Sequence, residues 1–485
     1  MKEEALPSPQ NHKCHAPYHG NKEALGWCLD GVARIVGFIA PAVYLSTAII
    51  NLAKLKAGCS IEIPEGEVKA PDCDGRVYGL KPSSLLTTYA TVVGVLSAAC
   101  LPIVGAILDH TSHRKLVGLI SAGLQCICLF VPIFITTTNW PTILVLSVFS
   151  AFIGWIHTLS IFAYLPELTD NPKYLASWTA NFHFIQYISL IIFLAYMIGI
   201  LYATGYNGDD ILSARVAMIS SFVIVSPLYL WTWLGLMKQR PALQVIPNNS
   251  SLWTIGFQKV YATGKKLFHE HKSIMLFLIN VALVESAQQS IATVSLTYMT
   301  DTLLMTSTEN GIAILVLFVF SAVGALIGKL SLRWLNPINS NKLCQAITAA
   351  NTGLAALILT GPNQNWRAYL IAGGWGLGAG WKNTVERFAV TQIIPVGQDA
   401  ELMGFYLFSS QVIVWLPTLI FTSMNEAGVS QRVSITILIA FFMSGIGCLS
   451  LMDKYDDIVS AAGRTEITEE TSVADANANE EAPIE

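Results

Sequence analysis

Long apolar runs separated by short polar links dominate this sequence. Each run has about 20 or more residues, enough for an α-helix to cross about 30 Å of hydrocarbon. Twelve such segments are predicted, at 31–53, 84–108, 116–136, 141–165, 178–203, 214–236, 274–299, 310–332, 343–361, 368–390, 402–424 and 430–452. The pattern therefore predicts an all-α membrane protein.

The longest link, residues 238–273, divides six spans from six and is rich in Lys and Arg. Two sets of six spans are typical of transporters whose pseudo-symmetric halves rock about a central site. The predicted divisions are a cytosolic N-terminal segment (1–26), a first six-helix bundle (27–237), a cytosolic central loop (238–273), a second bundle (274–453) and a disordered acidic tail (454–485).

Composition supports a membrane protein and argues against several other classes. The chain is 53% hydrophobic and 12% charged, with a mean hydropathy of +0.53, whereas a soluble domain is about 25% charged. A net charge of −4 makes nucleic acid an unsuitable partner. The sequence has no phosphate-binding loop of the form G-x-x-x-x-G-K-[ST], no metal-ligand spacing and no catalytic constellation. We therefore predict a protein that is not an enzyme and needs no cofactor or metal.

Basic residues predict the orientation. They are concentrated in the segments that share a side with both chain ends, so both termini are expected to face the cytosol. Cys59 and Cys73 then lie in a long link outside the cytosol, where a disulfide can form. Two free thiols are the alternative.

Polar groups at membrane depth are the first candidates for a transport site, because each buried charge there costs roughly 2.5–3.5 kcal/mol on insertion scales. Span seven contains Glu285, Gln288 and Gln289, whose spacing places them on one helix face. Glu285 could carry a proton, bind a substrate ammonium group, or serve as a structural carboxyl bonded to another span.

Span ten is rich in glycine between 373 and 380 and contains Trp375 and Trp381. Small residues at this density favour close helix packing, with hinge bending as the alternative. The two tryptophans could line a substrate route.

Charged residues toward the predicted cytosolic ends of spans are candidates for gates. Lys382 and Glu386 have i,i+4 spacing, and Arg387 follows them. Asp30 and Arg34 have the same spacing in span one. An intrahelical ion pair that eases insertion is the simpler interpretation of Asp30 and Arg34, and a gate contact is the other.

The link between spans two and three resembles the loop signature of the major facilitator superfamily of secondary transporters. It reads G-x-x-x-D-x-x-x-x-R-K, with Gly105, Asp109, Arg114 and Lys115 at the fixed positions. This resemblance implies the major facilitator fold, twelve transmembrane helices in two pseudo-symmetric six-helix bundles, with Asp109 and Arg114 in gating roles.

Three further segments resemble the autophagy-related vacuole effluxer family. They are G-W-C-L-D at 26–30, F-A-Y-L-P-E-L at 162–168, and Glu386-Arg387 followed by I-P-V-G-Q-D-A-E-L-M-G-F-Y at 394–406. The sequence departs from the family in span seven, where Glu285-Ser286 replaces an expected Asp-Gly pair.

The family resemblance implies a multi-pass protein of the vacuolar membrane. It would export amino acids, or other small solutes, from the lumen to the cytosol after autophagic breakdown, by alternating access and with protons as a candidate coupling ion. A plasma-membrane exporter of a small metabolite on the same fold and a non-transporting receptor or scaffold are the alternatives.

Overall fold

The computed structural model describes residues 21–59, 75–164, 172–242, 251–395 and 398–463. The predicted N-terminal segment before residue 21, Cys73, and the acidic tail after residue 463 lie outside the described residues. Within the described residues the structure is helical, and an isolated bridge between Val77 and Leu80 is the one β-type pairing.

Seven helices make up the first half of the chain: α1 Lys22–Ala40, α2 Ser46–Lys56, α3 Leu85–His110, α4 Arg114–Phe130, α5 Trp140–Phe162, α6 Pro172–Thr204 and α7 Asp210–Leu230. A π-helical stretch, Pro41–Leu45, joins α1 to α2 in one continuous rod. Pro41 lacks the N–H that an α-helical turn would use, which explains the wider turn there. A second π-helical stretch, Trp231–Leu236, extends α7.

The rest of the chain forms α8 Leu252–Glu270, α9 Lys272–Asp301, α10 Ser307–Ser331, α11 Pro337–Ile358, α12 Asn365–Ile393, α13 Asp399–Ser409, α14 Trp415–Glu426, α15 Gln431–Ser434, α16 Ile437–Ser450 and α17 Tyr455–Ala461. Each of the twelve predicted spans coincides with one helix or with two consecutive helices. Nine helical segments of the described chain have both the length and the hydropathy of a membrane span. The other three predicted spans correspond to α11, to α12 and to the broken pair α13–α14.

Three predicted boundaries differ from the structure. The first span begins at Lys22, not at 31, because the Asn21 side chain accepts hydrogen bonds from the Glu23 and Ala24 N–H groups and caps the helix. The central loop contains the helix α8, whose Leu267 is fully buried. The predicted disordered tail begins with α17, because Ile458 packs into a buried cluster with α9 and α12.

Two faces of the molecule are used below. Glu23, at the start of α1, accepts a hydrogen bond of 2.7 Å from Arg240, and Ser273, at the start of α9, donates one of 2.6 Å to Asp453. These contacts gather both ends of the described chain on one side, which we call the terminal face. Successive spans alternate in direction, so the described links 57–59, 75–84, 205–209, 302–306 and 427–430 lie on the other side, the distal face.

The glycines of span ten pack directly on another helix. A Cβ atom added at Gly376 or Gly380 of α12 would lie 2.0 Å from the Leu317 carbonyl oxygen or 1.8 Å from that of Ser321, both on α10. An added Cβ at Gly324 of α10 would meet the α12 backbone in the same way. The close-packing interpretation of these glycines is therefore confirmed.

Candidate transport site

A buried cluster of alternating charge connects α9, α12 and α13. The Lys382 ammonium group donates a hydrogen bond to the Glu285 carboxylate and lies 3.3 Å from Oε2 of Glu386. The Tyr406 hydroxyl donates to Oε1 of Glu386 at 2.9 Å. We call these four residues the carboxylate–lysine cluster.

Depth and exposure make this cluster unusual. Glu285 lies near the middle of the 30-residue helix α9, so the charges are at membrane depth. The side chains of Lys382 and Glu386 are 2% and 1% exposed, whereas that of Glu285 is 16% exposed. One cation between two carboxylates compensates part of the burial cost, and removing it would leave uncompensated charge. Glu285 is the most exposed charged member of the cluster.

Amide side chains extend the polar surface beside the cluster. Gln345 on α11 donates to Oδ1 of Asn280 at 2.8 Å and to Oδ1 of Asn341 at 3.2 Å. The Nδ2 groups of Asn280 and Asn341 are buried and have no hydrogen-bond partner. Sequence reasoning missed these amides, although Asn341 and Gln345 have i,i+4 spacing next to or within a predicted span. Buried unpaired donors of this kind can serve a bound solute.

The other predicted solute-binding residues make no hydrogen bond to the carboxylate–lysine cluster within the described residues. Gln288 and Gln289 are partly exposed on α9, within one turn of Glu285. The indole N–H of Trp375 donates to Thr352 and that of Trp381 donates to Ser340, both at 3.0 Å. Both tryptophans are therefore fixed against α11, and their role in a solute route stays a prediction.

Asp30 and Arg34 do not form the predicted intrahelical ion pair. Asp30 is fully buried, and its Oδ2 contacts Nε2 of His157 at 2.9 Å and accepts from the Trp233 indole at 2.8 Å. Arg34 instead donates to the Thr158 hydroxyl at 3.0 Å. A buried imidazole and an indole are better partners for Asp30 than a flexible side chain one turn away.

The remaining predicted gate residues lie near the terminal face. Arg114 is fully buried and donates to the carbonyl oxygens of Leu108 and Ala163, at the ends of α3 and α5. Asp109 lies 3.8 Å from Lys259 of α8, and Arg387 is exposed on α12. Arg114 thus caps two helices, where cations are favourable.

On the distal face, hydrogen bonds join the two halves directly. Lys54 makes an ion pair of 2.8 Å with Asp301 and donates to the Thr300 carbonyl oxygen at 3.2 Å. Asp210 accepts from the Ser307 N–H and hydroxyl at 2.9 and 2.6 Å. We call the contacts between the halves on this face the distal seam.

The distal seam has a second group of contacts beside α14. Asn425 donates to Ser83 and Ser84, and Glu426 accepts from Arg76 at 2.8 Å. Among the described residues, every hydrogen bond that joins α1–α7 directly to α9–α17 belongs to the distal half of the molecule. The structure is therefore closed at the distal face.

The terminal face is joined differently, through α8. On the side of the first half, Gly256 packs on the carbonyl oxygen of Pro102, where an added Cβ would lie 2.2 Å away. On the side of the second half, Lys266 donates to Gln398 at 3.2 Å and Gly264 lies against Phe405. The helix of the central loop therefore bridges α3 and α13 across the terminal face.

The ionisation of Glu426 depends on the distal seam. Partial burial would raise the pKa of Glu426, but hydrogen bonds from Ser84, the Lys81 N–H and Arg76 outweigh burial and lower the pKa below its ordinary value of 4.5. A carboxyl with a lowered pKa stabilises the structure above its ordinary pKa. That contribution is lost as the pH falls through the lowered pKa.

We predict that Glu426→Gln lowers thermal stability at pH 7 and that the difference from wild type shrinks as the pH is lowered toward 4. The Arg76–Glu426 pair is partly exposed, so the difference at pH 7 should be roughly 0.2–1 kcal/mol. Melting curves of the detergent-solubilised protein at several pH values measure it. Glu270→Gln is the control, because Glu270 is exposed and makes no ion pair within the described residues. A pH-independent difference for Glu426→Gln would contradict the prediction.

Comparison with known proteins gives one family and several structures. The family model described as "Vacuole effluxer Atg22 like" matches residues 19–184 and 179–461. No curated protein matches the sequence.

Three solved structures similar to this chain are those of transporters. A D-xylose–proton symporter has a TM-score of 0.63 at 10% identity, over 90% of this chain and 98% of its own. The inward-open xylose transporter XylE from E. coli has a TM-score of 0.57 at 12% identity, over 87% and 94%. A bacterial homologue of the human lysosomal transporter Spinster, inward-facing and unoccupied, has 0.57 at 11%, over 91% and 97%.

Proposed function

Because the chain belongs to the family of Atg22-like vacuole effluxers, we propose that it exports amino acids from the vacuole lumen to the cytosol by alternating access. The protein is a secondary transporter with the major facilitator fold, twelve transmembrane helices in two six-helix bundles. The solute, its direction and the membrane are the proposed part.

The observation that carries the proposal is the contact between Glu285 and Lys382 at membrane depth. An amino acid at neutral pH has one ammonium and one carboxylate group on the same carbon atom. It can therefore insert into the pair, with its ammonium on Glu285 and its carboxylate on Lys382. Each protein charge exchanges one partner for another, and no charge is left unpaired in a region of low dielectric constant.

The rest of the cluster supports this exchange. Glu386 stays within 3.3 Å of Lys382 and is itself held by the Tyr406 hydroxyl. Lys382 thus keeps one fixed anionic neighbour when Glu285 turns to the solute. The Glu285 carboxylate already has an ammonium group as its partner, that of Lys382. Of the roles considered for Glu285, we therefore propose the binding of the substrate ammonium.

The two faces relate the structure to one step of the proposed export. With the predicted orientation the terminal face is cytosolic and the distal face is lumenal. The closed distal seam then belongs to the step in which solute is released to the cytosol. The next step must separate Lys54 from Asp301 and Asp210 from Ser307, and bring α3 and α13 together at the terminal face.

Counterflow into vesicles reconstituted with the purified protein tests the substrate class. We expect exchange of radiolabelled neutral amino acids to be inhibited by other amino acids. Inhibition should be much weaker with matched compounds that lack one charge, an amino alcohol without the carboxylate and a hydroxy acid without the ammonium. Equal inhibition by the hydroxy acid and the amino acid would show that Glu285 is not an ammonium site.

Localisation is tested separately, with a fluorescent tag on the full chain and markers for the vacuolar and plasma membranes. Vacuolar labelling agrees with the proposal. Labelling confined to the plasma membrane, together with intact counterflow, would favour the alternative of a plasma-membrane exporter.

A further inference from the structure

The first six-helix bundle contains a second buried polar cluster, away from the carboxylate–lysine cluster. Asp30 on α1 contacts Nε2 of His157 on α5 at 2.9 Å, and Nδ1 of His157 lies 2.8 Å from the Ser121 hydroxyl on α4. Asp30 and His157 are both fully buried, and Ser121 is 3% exposed. Trp233 donates its indole N–H to the same Oδ2 of Asp30.

The hydrogen bonds of this cluster can be completed in two ways that differ by one proton. Ser121 has a single hydroxyl hydrogen and two acceptors within reach, Nδ1 of His157 at 2.8 Å and the carbonyl oxygen of Gly118 at 3.0 Å. If the hydroxyl donates to Nδ1, His157 is neutral and its Nε2–H donates to the Asp30 carboxylate. If the hydroxyl donates to Gly118, its oxygen is free to accept from an Nδ1–H, and His157 can be doubly protonated.

We propose that Asp30, His157 and Ser121 form a proton-binding site of this transporter, separate from the site where the solute binds. The inference rests on the proposed transport function only for its coupling to solute flux. In the binding step a hydronium ion transfers its proton to Nδ1 of His157 and leaves as water. The Ser121 hydroxyl hydrogen then turns from Nδ1 to the Gly118 carbonyl oxygen, and helix movement is needed only to admit water to the buried site.

A second observation points to the same use. Oδ1 of Asp30 is buried and has no hydrogen-bond partner. A purely structural carboxylate would normally have both oxygens satisfied. The unpaired oxygen gives the anion spare capacity to stabilise an imidazolium or to accept a proton itself.

The charges around the pair set the cost of the added proton. Arg34, one turn along α1, faces Asp30, and Tyr229 of α7 faces both Asp30 and His157. Cys126 of α4 lies near Tyr229. With His157 neutral, Asp30 and Arg34 compensate each other. With His157 protonated, the group carries one net positive charge, which is costly in a dry interior. The protonated form therefore needs a conformation in which water reaches the site.

This charge balance couples the proton to conformation. The cluster joins α1, α4, α5 and the π-helical extension of α7, so it senses how these helices pack. Protonation turns the bond between His157 and Asp30, in which only the acceptor is charged, into one between two charged groups, which strengthens it. Proton binding and helix packing therefore influence each other, as proton-coupled transport requires.

A proton-uptake measurement tests the site without any solute. The purified protein in weak buffer with a pH-sensitive dye is brought from pH 7.5 to pH 5. We expect wild type to take up one proton per molecule more than His157→Gln, in which the amide keeps a donor for Asp30 and an acceptor for Ser121. His269→Gln, on the exposed part of α8, shows how much proton uptake is lost when an exposed histidine is removed. Equal uptake by wild type and His157→Gln would overturn the proposal.

Ser121→Ala keeps the test informative if His157→Gln fails to fold. This variant removes the acceptor for an Nδ1–H, so proton uptake between pH 7.5 and pH 5 should be smaller than in wild type. Undiminished uptake by Ser121→Ala would contradict the two-state hydrogen-bond arrangement.

Transport measurements then separate coupling from solute binding. We expect His157→Gln to keep solute exchange near the wild-type rate and to lose accumulation driven by a pH gradient by about tenfold or more, the scale of a typical coupling free energy. Loss of both activities in a folded variant would overturn the separation of the two sites. If wild type takes up the proton but moves no amino acid, the proposed function fails and the proton site stands.

Discussion

Lys382→Met is expected to abolish amino-acid transport, the largest effect of any single substitution considered. Methionine keeps most of the side-chain volume but removes the cation between Glu285 and Glu386. Breaking a buried ion pair by removing one partner costs about 3–5 kcal/mol, because the remaining charge is unpaired. At least one carboxyl would take up a proton, and the solute carboxylate would lose its partner. Counterflow should fall by about 100-fold or more, the equivalent of a lost charged hydrogen bond or two.

Two further variants distinguish a binding defect from a folding defect. The double variant Lys382→Met/Glu386→Gln removes one of the two carboxylates that lose their cation. Its melting temperature should be higher than that of Lys382→Met, but its transport should stay lost. Lys329→Met makes the same substitution at an exposed position of α10 and should leave both unchanged. Wild-type counterflow in a well-folded Lys382→Met protein would mean that the cluster only stabilises the bundle.

The positions of the twelve spans could be predicted because hydrocarbon imposes a length and a composition on every crossing helix. The approach fails where polar residues serve packing or chemistry inside a bundle. In α11 and α12, Asn341, Gln345 and Lys382 lower the hydropathy of spans that nevertheless cross. The opposite error occurs in α8, which composition alone describes as a polar loop. It is a helix, and one side of it, with Thr263 and Leu267, is buried.

The sequence singled out Glu285, Lys382 and Glu386 but not their arrangement, and it missed the amides around Gln345. A carboxyl at the middle of a predicted span is costly enough to single out Glu285 from one sequence. Its partner Lys382 follows 97 positions later, and no local spacing connects them. The i,i+4 rule correctly related Lys382 to Glu386 yet failed for Asp30 and Arg34, because a contact across the bundle with His157 was available to Asp30. Sequence spacing identifies neighbours within one helix, whereas a buried charge can pair with a residue of any helix that packs around it.

Lys54→Ala is expected to loosen the distal seam and to shift the protein toward the conformation that is open at the distal face. Lys54 is nearly fully buried, and its ammonium group both pairs with Asp301 and donates to the last carbonyl groups of α9. A buried hydrogen bond to a charged group contributes about 1.5–3 kcal/mol, so the population ratio of the two conformations should change by about 10- to 100-fold. Asp301 keeps the hydrogen bond from Gln431, which should preserve the local fold of α9.

Hydrogen exchange of the purified protein measures this shift. In Lys54→Ala the segments 46–56 and 298–310, which face each other across the seam, should both exchange faster. Arg432→Ala is the matched control, because Arg432 also binds carbonyl oxygens near the distal face, those of Ala356 and Leu357, but within the second half. Its effect should stay within that half. Faster exchange at 298–310 alone would indicate local fraying of α9 and would contradict a role for Lys54 in holding the halves together. Faster exchange on both sides would identify the Lys54–Asp301 contact as one that must break before the distal face can open.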